Sequence, residues 1–563
     1  MRISKEVSMA LQVQLLLTAL LSAIIFGLYL LCMGERNATI YWIILPVCLF
    51  FIPRAWLWNI KTVWLDWWDM DRENTRRLLL MVFATTVVFS LVAHLYAFTN
   101  EFFNHDSLGA IVDSTNIANE IPSGRPMRTL LNRMIGTVEH PWLQGMLFML
   151  WMFLVSVLAV RILHIRSTAG RVLLSGLFCA NTSLSNFFAH YTWCVVFSFA
   201  LLTAIAAAWF FCHCRHGEIL GIYCVVLSMM TYQAYFTAGV AFCFFSVVQM
   251  IIRNENVRLT VLRGVRYLAL LMVGFLAYYL TWSALCLFFS VSKARMGDLT
   301  VSSGLHYFLN RVAATFPHFF GTQLTSGDFL GRAAPAIKLL VIVMILFWLF
   351  GWLIDKQLAK INKILLTLSV CALPLVLDLS YALFSMGNLT LVNVSMGFLG
   401  IFLLLCLSCP APSAPVPRRY RATAFLLVGA LLWQNVVYSN SIYLKMDLNK
   451  TATLSLFTRM IERIEQTEGY VPGETPVAFS GYMYDNDFLS QGRKGYEWYT
   501  KYLGAAFYDY SVSYSVRNYV QNYLNYPMNI VNSPHSEEIT EMPVFPFDGS
   551  IAWVDGVLVV KIA

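Results

Sequence analysis

The sequence predicts a predominantly α-helical protein: a polytopic transmembrane bundle of about 13 spans, followed by a small α/β domain at the C-terminus. Of its 563 residues, 58% are hydrophobic and only 12% are charged, whereas soluble domains average about 25% charged residues. The apolar residues run in blocks of roughly 20 without a polar face, the length that crosses the hydrocarbon core of a bilayer. The first block, roughly 11–33, is too long for the apolar part of a signal peptide, so we expect a retained span.

The lysines and arginines predict the orientation of the spans, because cytoplasmic loops are enriched in them. With the N-terminus in the cytoplasm, the inner segments hold 21 of the 39 basic residues, and the outer loops before the tail hold nine. An odd number of spans then places the C-terminal domain outside. The net charge of +8 therefore indicates topology rather than a nucleic-acid surface, since the basic residues are spread over short loops.

Three segments face outward in this arrangement, and we expect the chemistry of the protein to lie in them. Two are loops of the membrane domain (residues 1–445), at about 100–141 and 293–336. The third is the C-terminal domain, residues 446–563. None of the three contains a cysteine, so the sequence gives no sign of a disulfide framework there.

Local patterns in the C-terminal domain predict a mixture of helix and strand. Apolar residues at helical spacing predict a helix over Thr451–Glu468. Pro476–Gly481 reads as a short strand, and Ile551–Ile562 reads as a hairpin. The hairpin is predicted to turn at Asp555-Gly556, a preferred two-residue turn.

The first outer loop places two carboxylates, Glu101 and Asp106, just after the end of a span. A carboxylate that is partly shielded from water can act as a general base or orient an acceptor hydroxyl. A solvated loop acid or a helix cap would have the same appearance in the sequence. Farther along this loop, apolar residues from Met127 to Ile135 recur at helical spacing and predict an interfacial helix with its apolar side on the membrane.

Cationic residues in both outer loops suit either a lipid-linked phosphate or ordinary anionic headgroups. In the first loop these are Arg125 and Arg128, which lie off the apolar stripe of the predicted helix. The second loop places cations among aromatic residues, where they could stabilise a phosphate leaving group. Those candidates are Lys293, Arg295, Arg311 and His318.

Further polar residues near the outer ends of spans are candidates for a substrate cavity. Asp378 lies within a predicted span, Ile364–Met386, where a charged group is costly and faces the protein interior. It could pair with a neighbouring helix or line a polar cavity. The remaining cavity candidates are His105, His190, Tyr232 and Gln233.

Motifs of soluble enzymes are missing from the sequence. There is no phosphate-binding loop of nucleotide hydrolases, no dinucleotide-binding glycine fingerprint and no zinc-protease helix. The segment Cys212–His216 lacks a second pair of metal ligands, so we interpret it as incidental. The sequence requires no soluble cofactor, assigns no metal ligand, and leaves the use of a divalent metal open.

The motifs of this chain resemble those of the serotype-converting glucosyltransferases of bacterial O-antigen modification (Gtr type), a branch of the polytopic GT-C glycosyltransferases. The resemblance covers most of the chain. It is carried by Phe103-Asn-His-Asp-Ser-Leu108, Ser123-Gly-Arg125, Leu130-Leu131, Pro141-Trp-Leu143, Met229-Met-Thr-Tyr-Gln-Ala-Tyr235, Phe457–Ile464, Pro476–Gly481 and Leu558-Val-Val-Lys561.

The resemblance implies a GT-C-like membrane enzyme of the bacterial inner membrane with a periplasmic C-terminal domain. Such enzymes take a sugar, here a glucosyl group, from a polyprenyl-phosphate donor and transfer it to lipopolysaccharide O-antigen or a related surface glycan. Direct displacement would invert the anomeric configuration. The donor is made on the cytoplasmic side and flipped outward, so a separate donor synthase and flippase are implied partners, together with membrane lipids.

The resemblance also implies roles for individual residues. Asp106 takes the place of the catalytic base, with Glu101 as the runner-up, while Ser107 stands where the family often has a second acid. The donor phosphate would be bound by Arg125, Arg128, Lys293, Arg295 and Arg311.

Alternative functions remain open at this point. A polymerase or ligase of lipid-linked glycans would use closely related chemistry. A multi-span transporter or flippase would also need many spans and some buried charge, although the paired halves typical of transporters are not visible. A membrane scaffold with a partner-binding tail is the third alternative.

Overall fold

Helix dominates the protein, as the composition predicts: the residues that the structure describes are 78% helical, and the remainder of them includes one small sheet. The computed structural model describes residues 12, 14–27, 72–102, 108, 120–135, 140–189, 191–214, 217–294, 304–324, 333–384, 393–409, 417–481 and 516–563.

The membrane domain is a succession of helices in these ranges. The first nine are α1 (Gln14–Gly27), α2 (Arg72–Thr99), α3 (Pro126–Ile135), α4 (Pro141–Ile162), α5 (Thr168–Cys179), α6 (Thr182–Ala189), α7 (Tyr191–His213), α8 (Glu218–Thr231) and α9 (Phe236–Ile252). The others are α10 (Val257–Phe288), α11 (Leu305–Leu324), α12 (Ala333–Ile354), α13 (Lys360–Leu377), α14 (Leu379–Leu383), α15 (Leu399–Ser408) and α16 (Arg418–Glu465). Short 3₁₀ turns at Gln233–Tyr235 and Val394–Phe398 precede α9 and α15.

Eight helices of the described ranges are long and apolar enough to cross a membrane: α2, α4, α7, α9 with its 3₁₀ turn, α10, α12, α13 and α16. Three shorter apolar helices accompany them: α1, α8 and α15 with its 3₁₀ turn. Each apolar block of the sequence coincides with a described helix except the second, near residue 38, which lies outside the described residues. The figure of about 13 spans therefore stays a prediction.

Asp378 lies at a helix break rather than inside a span, contrary to the sequence prediction. Helix α13 ends at Leu377, and the Asp378 backbone N–H caps it by donating to the Pro374 carbonyl. Pro374 sits in the last turn of α13, and a proline there removes a backbone hydrogen bond and disturbs the preceding turn. The chain restarts as the short helix α14, so Asp378 occupies the corner between two helices.

The second outer loop contains a long helix. Its residues 305–324 form helix α11, which packs against α12, α13 and α14. One side of α11 carries exposed apolar residues, among them Leu309 and Phe320, whereas Thr315 and Phe319 are buried. The helix therefore presents an apolar side outward and a mixed side to the bundle.

The amphipathic helix of the first outer loop is present as α3, but its apolar side does not lie on the membrane as predicted. Met127, Leu130 and Leu131 are buried, and α3 packs against α7 and α8. Met134, at the other end of the predicted stripe, is exposed. The stripe thus finds its apolar partner within the protein, which is why the arginines of this loop are held by the bundle.

The C-terminal residues form a four-stranded sheet of order β2-β1-β4-β3. The strands are β1 (Pro476–Ser480), β2 (Asn529–Val531), β3 (Ile551–Val554) and β4 (Val557–Lys561). Strand β1 pairs in parallel with β2 and β4, and β3 and β4 form an antiparallel hairpin. Asp555 and Gly556 have φ of 50° and 76°, the left-handed backbone that this two-residue turn requires. The predicted strand and hairpin are confirmed.

Helix α16 joins the last span to the C-terminal domain without interruption. Its 48 residues are about 72 Å long at 1.5 Å per residue, more than twice the hydrocarbon thickness. The sequence contains no proline in this range to stop the helix. Its last turns bury Phe457, Met460 and Ile464 against the sheet. The predicted boundary at residue 446 thus falls within a continuous helix, and the division into two domains stays a prediction.

We expect Thr451→Pro to uncouple the two ends of α16. Thr451 is exposed, and its hydroxyl bonds only to the Asp447 carbonyl one turn earlier. Proline in a helix interior costs about 3 kcal/mol. The variant should expose the segment around residue 451 to protease, whereas the matched variant Thr451→Ala should be cleaved as slowly as the wild type. Equal cleavage of both variants would contradict a rigid connection.

Candidate functional site

The first outer loop is fixed to the helix bundle through its backbone carbonyls. Four consecutive residues, 121–124, each present a carbonyl that accepts a hydrogen bond from another part of the chain. The pairs are Ile121 O with Trp282 Nε1 (2.7 Å), Pro122 O with Ala294 N (3.1 Å), Ser123 O with Gln233 Nε2 (2.8 Å), and Gly124 O with the Tyr278 hydroxyl (3.1 Å). We call residues 121–124 with these donors the loop clamp.

The loop clamp determines the position of Arg125. Its Nε donates to Gln233 Oε1 at 2.8 Å, and its guanidinium lies over the Tyr232 ring at 4.9 Å. The Gln233 amide nitrogen also donates to the Tyr278 hydroxyl at 2.9 Å. Gln233 is therefore oriented by three partners, two in the first outer loop and one on α10. The sequence candidates Arg125, Tyr232 and Gln233 are thus brought together in one site.

Two other cationic candidates of this region have partners of their own. The Lys293 ammonium donates to the Ser283 hydroxyl at 2.6 Å and lies 4.0 Å from the centre of the Tyr279 ring. It is also 4.8 Å from the Trp282 ring centre, so it shares Trp282 with the loop clamp. Arg128 forms an ion pair with Glu120 at 3.0 Å, with both side chains mostly buried. The charge of Arg128 is therefore balanced locally, and Arg125 and Lys293 are the better placed cations.

Gly124 is the tightest point of the loop clamp, and we expect Gly124→Ala to disrupt it. Its φ is +75°, and a Cβ would collide with the Tyr278 hydroxyl and come within 3.1 Å of Gln233 Nε2. Misplacement of a substrate-binding group by about 1 Å can reduce the rate about 100-fold. We therefore expect kcat/KM to fall by about that factor.

Gly304→Ala is the matched control for Gly124→Ala. Gly304 also has a positive φ, +109°, but a Cβ there would meet nothing within 4 Å among the described residues. Backbone strain alone should lower the activity of both variants, whereas a collision with the loop clamp should lower only that of Gly124→Ala. Equal rates for the two variants would show that the loop clamp does not contribute to activity.

A second group of polar residues forms around the corner between α13 and α14. Asp378 is fully buried, and its Oδ2 lies 2.6 Å from His318 Nδ1 on α11. The His318 ring stacks on Tyr381 at 3.9 Å between centres and 14° between planes. The Arg311 guanidinium lies 3.6 Å from the same Tyr381 ring and donates to the carbonyls of Tyr381 and Phe384 at 2.6 and 2.9 Å. The candidates Arg311, His318 and Asp378 therefore belong to one cluster.

The two clusters are connected through the start of α9. Thr237, one helical turn or about 6 Å after Gln233, has its hydroxyl 3.2 Å from that of Ser380, which follows Asp378 by two residues. A third hydroxyl, that of Ser395, lies 3.3 Å from Thr237. All three residues are buried. The loop clamp and the His318–Asp378 pair therefore border the same end of the bundle.

Asp106 and three other candidates, His105, His190 and Arg295, lie outside the described residues. The described residues on either side of Asp106 are anchored. Phe102 is buried and stacks on Tyr443 at 5.9 Å and 11°, and Leu108 is buried in the core of the C-terminal domain. Glu101 is exposed, and Lys450 donates to its backbone carbonyl at 3.0 Å. Phe102 and Leu108 therefore pack into two different cores, that of the helix bundle and that around the C-terminal sheet.

Several residues of the site were missed by the sequence analysis. Tyr278 and Trp282 hold the loop clamp, and Tyr381 joins His318 to Arg311. Tyr278 and Trp282 lie one helical turn apart on α10. In the sequence this spacing is also typical of aromatic residues that only pack against a neighbouring helix. The residues described contain no group of three His, Cys, Asp or Glu side chains suited to a metal ion.

The fold and the site define a polytopic helical membrane protein with cations, aromatic rings and a buried His–Asp pair at one end of its bundle. The family described as glucosyl transferase GtrII matches residues 95–404, more than half of the chain. The chain therefore belongs to this family, and the resemblance seen in its motifs is confirmed. The match includes the loop clamp and the His318–Asp378 pair. Comparisons with curated proteins and with solved structures find no match.

Family membership supports glycosyltransferase activity and suggests that the protein acts on a surface glycan. It also agrees with the several apolar helices, which indicate a membrane protein. All described members of the candidate site fall within the matched residues, so the site belongs to the part of the chain that defines the family.

Proposed function

We propose that the protein transfers a single glucosyl group from a polyprenyl-phosphate donor to lipopolysaccharide O-antigen or a related surface glycan. The reaction takes place at the periplasmic face of the bacterial inner membrane, in a GT-C-like bundle of about 13 spans with a cytoplasmic N-terminus and a periplasmic C-terminal domain. The observation that supports this most is the position of Arg125, held by Gln233 and the loop clamp within the family match.

In this proposal Arg125 and Lys293 bind the donor phosphate. A guanidinium is suited to phosphate because it presents several N–H donors in one plane. Its neighbours Tyr232 and Gln233 limit its rotation, so binding costs less side-chain entropy than for an unrestrained arginine. The lipid tail of the donor stays in the bilayer. When the polyprenyl phosphate leaves, cations that are already in place stabilise the negative charge that develops on it.

Asp106 deprotonates or orients the acceptor hydroxyl, which attacks the anomeric carbon of the donor. The C1–O bond to phosphate breaks, and its electron pair leaves with the polyprenyl phosphate. Because a single displacement inverts C1, the product linkage has the opposite anomeric configuration to the donor. The nearest described residues on either side of Asp106, Phe102 and Leu108, are both buried.

The purified protein in liposomes tests the proposal with three defined additions. Polyprenyl-phosphate glucose and an O-polysaccharide acceptor together should yield a glucosylated polysaccharide of inverted linkage, measured by radiolabel and NMR. A nucleotide-linked glucose should yield none. Transfer of a preassembled oligosaccharide instead would identify a polymerase or ligase, and movement of the donor lipid across vesicles without acceptor would identify a flippase.

A further inference from the structure

The hydrogen bond between His318 and Asp378 fixes the chemical state of the imidazole. A carboxylate can only accept a hydrogen bond, so with Asp378 ionised the proton of this 2.6 Å contact lies on Nδ1 of His318. In a neutral imidazole only one ring nitrogen carries a proton, so Nε2 then holds the lone pair. The stacking of the ring on Tyr381, at 14° between planes, opposes a ring rotation that would move Nδ1 away from Asp378.

The charged groups around the pair come from three elements. Asp378 lies at the corner between α13 and α14, and Arg311 on α11 lies close enough to act electrostatically on its carboxylate. Tyr381 stacks on the imidazole, and Lys338 is the one charged residue of the packed helix α12.

The two members of the pair differ in their access to solvent. The Asp378 side chain is 0% exposed, and that of His318 is 21% exposed. Within the described ranges, Asp378 Oδ1 and His318 Nε2 have no hydrogen-bond partner. A buried carboxylate behind an accessible imidazole is the arrangement by which a histidine accepts a proton, because the carboxylate stabilises the imidazolium that forms.

We propose that His318 is the general base of the transfer reaction and that Asp378 is its positioning residue. The Nε2 atom of His318 takes the proton of the acceptor hydroxyl as the acceptor oxygen forms its bond to C1. The C1–O bond to phosphate breaks with its electron pair on the polyprenyl phosphate. The imidazolium then releases its proton to water, and Asp106 orients the hydroxyl. This inference rests on the proposed function, and it names the group that takes the proton of the acceptor hydroxyl.

The test is the pH dependence of kcat/KM for glucosyl transfer by the full-length protein in liposomes. In the wild type the rate should fall toward acidic pH, because a base that already carries a proton cannot accept the proton of the acceptor hydroxyl. His318→Gln should lower kcat by about 100- to 10,000-fold, the usual contribution of a general base, and should lose this acidic limb. Asp378→Asn should lower kcat and leave the KM for the donor unchanged, because it disturbs the tautomer and not the phosphate site.

The matched control is His306→Gln on the same helix α11. The side chain of His306 contacts Asn310 one turn away, and this variant should retain the wild-type rate and pH profile. An acidic limb that persists in His318→Gln, or a rate within tenfold of the wild type, would overturn the assignment of the base while leaving the proposed function intact. Absence of transfer by the wild type would overturn both.

Chemical modification gives a second readout that does not depend on the folding of a variant. Diethyl pyrocarbonate acylates the lone-pair nitrogen of a neutral imidazole, and mass spectrometry locates the adduct. Transfer by the wild type should be lost in proportion to modification of His318, and the acceptor glycan should protect against it. Complete modification of His318 with transfer unchanged would overturn the inference.

Discussion

Asp106→Asn should abolish glucosyl transfer while expression and membrane insertion stay normal. Asparagine has nearly the same shape as aspartate but has no negative charge with which to hold and orient the acceptor hydroxyl. A misplaced reacting group can cost about 100-fold in rate, and we expect a loss of at least that size in kcat. The measurement is initial rate with polyprenyl-phosphate glucose and saturating acceptor.

Glu101→Gln is the comparison for Asp106→Asn. Glu101 is the alternative acid of the same segment, but its side chain is exposed and Lys450 contacts its backbone carbonyl. We therefore expect this variant to keep most of the wild-type activity. If Glu101→Gln abolished transfer and Asp106→Asn did not, the roles of the two acids would be exchanged. Full activity in both variants would exclude Glu101 and Asp106 as the catalytic acid.

Substitution of Arg125 should act on donor binding rather than on the chemical step. Arg125→Gln removes the charge and the hydrogen bond to Gln233, and a hydrogen bond to a charged group contributes about 1.5–3 kcal/mol. That range corresponds to an increase of about 10- to 100-fold in the KM for the lipid-linked donor. Arg125→Lys keeps the charge but loses the planar donors and the bond from Nε, so an intermediate KM is expected.

Arg133→Gln is the control for this series, because Arg133 lies on α3, the helix that begins directly after Arg125, and the change in charge is identical. It should leave the KM for the donor within about twofold, which is RT ln 2 or about 0.4 kcal/mol. Equal increases in KM for Arg125→Gln and Arg133→Gln would show that the loop acts through its general positive charge. The specific role of Arg125 would then be wrong.

Features that depend on local patterns were predictable from the sequence. The apolar blocks marked the helices because membrane spans need about 20 apolar residues in a row. The Asp555-Gly556 turn was recognisable because few residue pairs adopt a left-handed backbone at low cost. The candidates Arg125, Arg311, His318 and Asp378 were named from their residue types and their positions at span ends.

The pairing of these candidates could not be read from the sequence. His318 and Asp378 are 60 residues apart, and Arg125 and Gln233 are 108 apart, so each contact depends on how the helices pack. The predicted span 364–386 is too long at its C-terminal end. A hydropathy pattern does not show that the helix ends at Pro374 and the corner at Asp378. The apolar stripe of α3 was assigned to lipid because a protein neighbour and a membrane present the same apolar surface to a helix.

The central claim is that a lipid-linked sugar phosphate binds at the end of the bundle formed by the loop clamp and the His318–Asp378 pair. An electron cryo-microscopy map of the protein with a polyprenyl-phosphate glucose would test it directly. We predict phosphate density within hydrogen-bonding distance of Arg125, with the glucose directed toward His318 and the Asp106 segment. Phosphate density at the opposite end of the bundle instead, beside the contacting imidazoles of His164 and His213, would contradict the account.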